Sequence, residues 1–172
     1  MLKCKAKRKR FSILSGKQAL EKDMPELPRI DESFEFISDG TFSSICFILA
    51  VASKTKIDKL YASTFRVGKK EILTLKALAE KGLVKDAHFF VWEGMDTDKY
   101  PYFEIFQKVC IDKGWTFVGG KNHSKVIMMD TPLGKFVLKT SSNLNENPKM
   151  EQFTFEQSSE LFNFYKSELF NG

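Results

Sequence analysis

The order of apolar and polar positions divides the chain into alternating strand-like and helix-like segments. Phe34, Phe36 and Ile37 mark a first strand, because residues two apart share a face of extended backbone. Asp39 stands where a helix N-cap belongs, ahead of an apolar run from Thr41 to Ser53. Phe42, Ile45, Phe47, Ile48 and Val51 leave that helix little polar surface, so it is expected to be buried. Ile57 to Phe65 reads as a strand. Lys69 to Lys81 then places Ile72, Leu75, Leu78 and Ala79 on one helical face and stops at Gly82. Ala87 to Trp92 is a compact apolar strand, and Tyr100 to Lys113 is a helix with Phe103, Phe106 and Cys110 inward and Gly114 past its end. Trp115 to Val118 returns as a strand, and Gly119-Gly120 offers a turn into the next one. Further strands fall at Lys135 to Leu138 and from Glu151 onward, and Ser158 to Phe170 closes the chain as an amphipathic helix.

Strand and helix alternate through the first two-thirds, which predicts an α/β fold: a largely parallel sheet sandwiched by helices. The last strands follow one another more closely, so mixed pairing is expected there. Ligands of such sheets sit near strand ends. Residues 1–30 read as a basic N-terminal extension and 31–172 as the main domain; Pro25 and Pro28 disfavour a helix between them.

Composition changes this picture in three ways. A chain of 172 residues with 42% hydrophobic and 28% charged content suits one domain with a real core, and 17 Phe make that core aromatic. Net charge is +5, but six basic residues fall within the first ten positions: Lys3, Lys5, Lys7, Arg8, Lys9 and Arg10. Without them 21 basic residues face 22 acidic ones, so the arm carries the excess. Such an arm reads as a solvated tail or as a contact for nucleic-acid phosphates. Three scattered cysteines (Cys4, Cys46 and Cys110) with no C-x-x-C pair argue against a zinc knuckle and for a reducing, cytoplasmic setting. No apolar signal-peptide core is visible, and the longest apolar stretch, Ile45 to Ala52, is too short to cross a bilayer.

The chemistry concentrates in Asn122-His123-Ser124-Lys125-Val126-Ile127-Met128-Met129-Asp130. On extended backbone His123 and Lys125 point the same way, so an imidazole and a fixed positive charge share one surface. One group can bond to phosphorus while the other holds charged oxygens. Ser141 and Asn143 alternate onto one face further on and supply a hydroxyl and an amide; Glu151 follows. Over His123 to Glu151 the chain resembles the phospholipase D superfamily, whose signature is H-x-K-x4-D, then a Gly-Ser-x-Asn-like segment and a later acid. Thr140 stands where the family usually has Gly, and the gap after Asp130 is longer.

The resemblance implies a phospholipase D-like catalytic domain that cleaves phosphodiesters without a metal or other cofactor. One His becomes a phosphohistidine, and another acts as general acid and then as base. His88 lacks a lysine or acid pattern and reads as structural, so the second His is expected from a second copy of the chain in a homodimer. This is the arrangement of the family's small single-motif endonucleases. Lys125, Ser141 and Asn143 would hold phosphate oxygens. Glu151 is the candidate to orient His123, while Asp130 falls on the opposite face of a regular strand and would tie the loop. The substrate class implied is nucleic acid, DNA ahead of RNA, with Trp92, Tyr100 and Tyr102 as candidate stacking residues more often found in cores. A phospholipase or phosphatidyl-transfer enzyme is the alternative, although no stretch is built for a membrane interface. A catalytically silent nucleic-acid-binding module is the third reading. No P-loop, G-x-G-x-x-G, G-x-S-x-G or H-E-x-x-H motif occurs.

Overall fold

The computed structural model of the chain describes residues 7–14, 19–39, 42–96, 102–146 and 148–170. Among them are strands β1 (Arg8–Leu14), β2 (Glu32–Ser38), β3 (Ile57–Ser63), β4 (Val84–Trp92), β5 (Thr116–Gly120), β6 (Val126–Thr131), β7 (Gly134–Thr140) and β8 (Gln152–Gln157). Five helices accompany them: α1 (Ala19–Asp23), α2 (Ile45–Ala52), α3 (Lys69–Glu80), α4 (Phe103–Lys113) and α5 (Ser159–Phe170). The strands form one sheet in the order β1-β2-β8-β7-β6-β3-β4-β5. Three pairings are parallel (β1/β2, β3/β4, β4/β5) and four are antiparallel. The sheet is therefore mixed and not largely parallel. Helices α3 and α4 carry the chain back between parallel neighbours, whereas β6, β7 and β8 follow without a helix between them and so reverse direction.

Most apolar side chains gather on one face of the sheet. Helix α2 buries Ile45, Phe47, Ile48 and Val51 there, and Phe47 meets the rings of Phe36, Phe42 and Phe153 at centroid distances of 5.7, 5.9 and 5.4 Å. Each such ring pair adds about 0.5–1.5 kcal/mol beyond the area it buries. The same cluster explains where α2 begins. Asp39 is not its cap; the helix opens at Ile45 after Ser44. Phe42 is drawn fully into the core, and the Ser43 hydroxyl donates to buried Glu71 at 2.9 Å. These demands unwind the turn that local sequence favours.

The opposite face holds a smaller cluster of Tyr61, Val126, Met128, Val137 and Phe162, with Leu161, Tyr165, Leu169 and Phe170 of α5 packed against it. Central β6 is covered from both sides, so Val126 to Met129 are all buried. His88 lies on this face, stacked on Tyr61 at 4.8 Å with Thr116 Oγ1 2.7 Å from Nδ1, in keeping with a structural role.

Residues 7–14 are an ordered edge of the sheet instead of a solvated tail. Lys7 pairs with Glu156 at 2.6 Å, Lys9 with Glu35 at 3.6 Å, Arg10 with Glu32 at 3.2 Å, and Arg8 with Asp31. Parallel pairing with β2 brings these cations over acidic side chains of β2 and β8 and over Asp31, just before β2. Burial pushes the Glu156 carboxyl up, but hydrogen bonds from Lys7 and Lys139 outweigh it and hold the group below its ordinary value. Lys3 and Lys5 lie outside the described residues. No helix among the described residues is long and apolar enough to cross a membrane.

Candidate active site

The registers place several candidate residues at one end of the sheet. Ser63 of β3 faces Val126 of β6, Val126 faces Lys139 of β7, and Thr140 faces Phe153 of β8. The C-terminal ends of β2, β3, β4 and β7 thus meet the N-terminal ends of β6 and β8. His123 and Lys125 lie just before β6, outside any helix or strand, Ser141 and Asn143 follow β7, and Glu151 precedes β8.

His123 is exposed and Lys125 half-buried. Lys125 Nζ lies 3.1 Å from His123 Nδ1 and 3.4 Å from Nε2, and donates to the His123 carbonyl at 2.7 Å. The two side chains lie side by side, as their two-residue spacing predicted. Burial lowers the Lys125 pKa, and the charge of Glu151 works in the opposite sense. The Glu151 carboxylate therefore lies within electrostatic reach of the ammonium. The Ser141 hydroxyl donates to Glu151 and accepts the Gln152 amide N–H at 3.1 Å. The Glu151 N–H donates to the Ser38 hydroxyl at 3.1 Å, so the end of β2 also holds this acid. Among the described residues the His123 ring meets Lys125 and Phe65, and the Ser141 hydroxyl donates to Glu151, whose charge also acts on Lys125.

The backbone carrying His123 is fixed by its neighbour. Asn122 is 4% exposed. Its amide donates to Ser63 Oγ at 3.0 Å and to the Phe90 carbonyl at 2.7 Å, while its Oδ1 accepts from the Ser124 N–H at 2.9 Å and hydroxyl at 2.7 Å. One side chain thus ties the ends of β3 and β4 to the segment on which His123 rides. Gly119 and Gly120 belong to β5 and make no left-handed turn; a Cβ at Gly120 would stand 2.8 Å from the Phe90 ring, so close approach is what excludes a side chain there.

Asn143 sits in a loop whose carbonyls and amides are stitched to its surroundings. Its backbone oxygen accepts from Ser44 Oγ at 3.3 Å, and Leu144 N–H donates to Thr64 Oγ1 at 3.0 Å. The Asn143 Oδ1 is buried without a hydrogen-bond partner among the described residues. Asp130 stands apart, near the other end of β6, in register with Lys59 and Lys135. Asn122, Ser38 and Phe65 are the residues at this end that sequence reasoning missed. An asparagine two residues before Ser124 is a local-bonding signal that points to Asn122; Ser38 and Phe65 carry no such mark. No three His, Cys, Asp or Glu side chains among the described residues lie close enough together to hold a metal ion.

No model of a known protein family matches the chain, and no curated protein resembles it in sequence. Solved structures do share its fold. A polyphosphate kinase from Porphyromonas gingivalis superposes with a TM-score of 0.60 at 12% identity, over 87% of this chain and 28% of the kinase. A phosphatidylserine synthase from Haemophilus influenzae superposes with a TM-score of 0.53 at 16% identity, over 79% of this chain and 37% of the synthase. Both neighbours are phospholipase D superfamily members, and the fold of this chain is the phospholipase D fold. The chain spans only about a third of the length of either neighbour.

Proposed function

We propose that two copies of this chain build one phosphodiesterase site that cleaves nucleic acid, DNA ahead of RNA, without a metal ion. The observation that carries this reading is the 3.1 Å approach of Lys125 Nζ to the His123 ring at the exposed strand ends. A phosphate bonded to that ring would have its oxygens against the ammonium, which favours the charge that builds up in transfer. In the first step a His123 ring nitrogen attacks phosphorus. The bond from phosphorus to the leaving oxygen breaks, and that oxygen takes a proton from the imidazolium of the second copy's His123. Water then attacks the phosphohistidine, the second copy's neutral imidazole takes a water proton, and the P–N bond breaks. Lys125 holds the non-bridging oxygens, Asn143 contributes its amide, and Ser141, whose one hydroxyl proton goes to Glu151 in the free protein, turns it to the phosphate when substrate binds. Attack and departure lie on opposite sides of phosphorus, which is why one imidazole does not suffice.

Arg66 and Lys121 add exposed cations beside this site, which suits a polyanionic strand. Asp130 takes no part in the reaction in this reading, and the cytoplasm is its setting. Incubation of labelled DNA and RNA with the native protein in EDTA, beside His123→Asn, tests it. Cleavage by the native protein alone supports the proposal. Cleavage that needs added magnesium, or that survives in the variant, refutes it.

A further inference from the structure

Beside His123 lies an aromatic column that phosphoryl transfer itself does not use. Phe65 follows β3 and meets the His123 ring edge-on at 5.3 Å and 62°. Its face stacks on Trp92, the last residue of β4, at 4.7 Å and 17°. The Arg66 guanidinium lies 5.2 Å from the centre of the Phe65 ring. A stacked indole and a guanidinium cannot share one face, so Arg66 covers the other. Behind the indole, a Cβ at Gly94 would collide with the Trp92 ring, so the column is backed by close-packed backbone. Phe65 and Trp92 are half-buried, and Arg66 is exposed. Among the described residues, the column thus has an inner end packed against backbone and an outer face covered by the exposed Arg66 side chain.

We infer that the Arg66-covered face of Phe65 seats a nucleobase of the substrate, with Trp92 backing the ring and Arg66 closing over the base. This deepens the phosphodiesterase reading and rests on it: a base one sugar away from a phosphate at His123 reaches Phe65. A nucleobase is planar and π-rich, and stacks on an aromatic ring and beneath a guanidinium alike. An acyl chain gains nothing from the cation, and a bare polyphosphate gains nothing from the rings. The seat favours unpaired bases, because a base stacked inside a duplex has no free face to offer.

The test is binding, measured by fluorescence anisotropy in EDTA on the His123→Asn protein, which leaves the strand uncut. The probes are a labelled single-stranded thymidine oligonucleotide and the same strand built from abasic residues. The base-bearing strand is expected to bind about tenfold or more tightly. Phe65→Leu is expected to bring its affinity down to that of the abasic strand, and Arg66→Gln, an exposed change that spares the fold, to narrow the gap. A purely structural role for Phe65 would weaken both strands equally. Equal affinity of the two strands, or no binding of either, overturns the inference. Formation of phosphohistidine by the native protein from bis(4-nitrophenyl) phosphate reports separately on the phosphodiesterase site, so loss of the base seat and loss of the site itself are distinguishable.

Discussion

Near one end of β6, Asp130 sits in a regular ladder between Lys59 of β3 and Lys135 of β7, while at the other the chain leaves the ladder and presents His123 and Lys125 on irregular backbone held by Asn122. The ladder end needs no special anchor, because strands on both sides pair with it, with Lys59 and Lys135 in register with Asp130. At the other end Lys125 keeps one backbone bond, its carbonyl accepting from Thr140 N–H at 3.2 Å, and the Asn122 side chain holds the rest of the segment. What separates the two is the freedom to converge. In a ladder, side chains are spaced by the pleat; off it, Lys125 can fold back onto the imidazole two residues away. The three residues of one sequence pattern therefore part company: His123 and Lys125 converge off the ladder, and Asp130 stays within it.

Substitutions sharpen this contrast in descending order of effect. His123→Asn is expected to lower cleavage by several orders of magnitude, yet to leave unfolding within about 0.5 kcal/mol because the side chain is exposed; strand-cleavage rates and urea titration check both. Lys125→Met is expected to cost about 100–1,000-fold in rate. Its stability carries a pH signature. Burial holds the folded-state pKa of Lys125 below the unfolded one, so the unfolded chain binds more protons between the two values and native stability rises with pH across that window. The Met variant should lack this rise in alkaline urea titrations.

Asn122→Ala comes next. It leaves buried partners at Ser63, Phe90 and Ser124 short of a hydrogen bond, at about 1–3 kcal/mol, and a loosened His123 segment should slow cleavage about tenfold or more. A variant that is as stable as the native protein in urea and as active would remove the distinction between the anchored and laddered ends. Asp130→Asn should be the mildest, with rate within about twofold and stability within about 1 kcal/mol, since a carboxylate near surface lysines contributes little.

Much of this was legible along the chain, and the failures have physical reasons. His123 and Lys125 were readable because a spacing of two is local, although they meet off the ladder and not through its pleat. Asp130 fits the same spacing, but spacing counts residues and not distance: five strand residues beyond Lys125 carry the chain about 17 Å away. Helix α2 starts later than its propensity suggests because Phe42 is claimed by Phe47 and Phe153. The basic N-terminal run looked uncompensated because Glu156, the partner of Lys7, lies 149 residues away. Strand order was hidden for a similar reason, since β2 pairs with β8 across most of the chain. The bonds of Asn122 to Ser124 are local, but its bonds to Ser63 and Phe90 reach other strands, which no local pattern displays.

The shared-site phosphohistidine is tested most directly by rapid alkaline quench of the native protein during turnover, followed by mass spectrometry of its peptides. One site per pair of copies should place phosphate on His123 in at most half of the chains, and nowhere else. Phosphate on another residue, on every chain, or on none during active cleavage would contradict it.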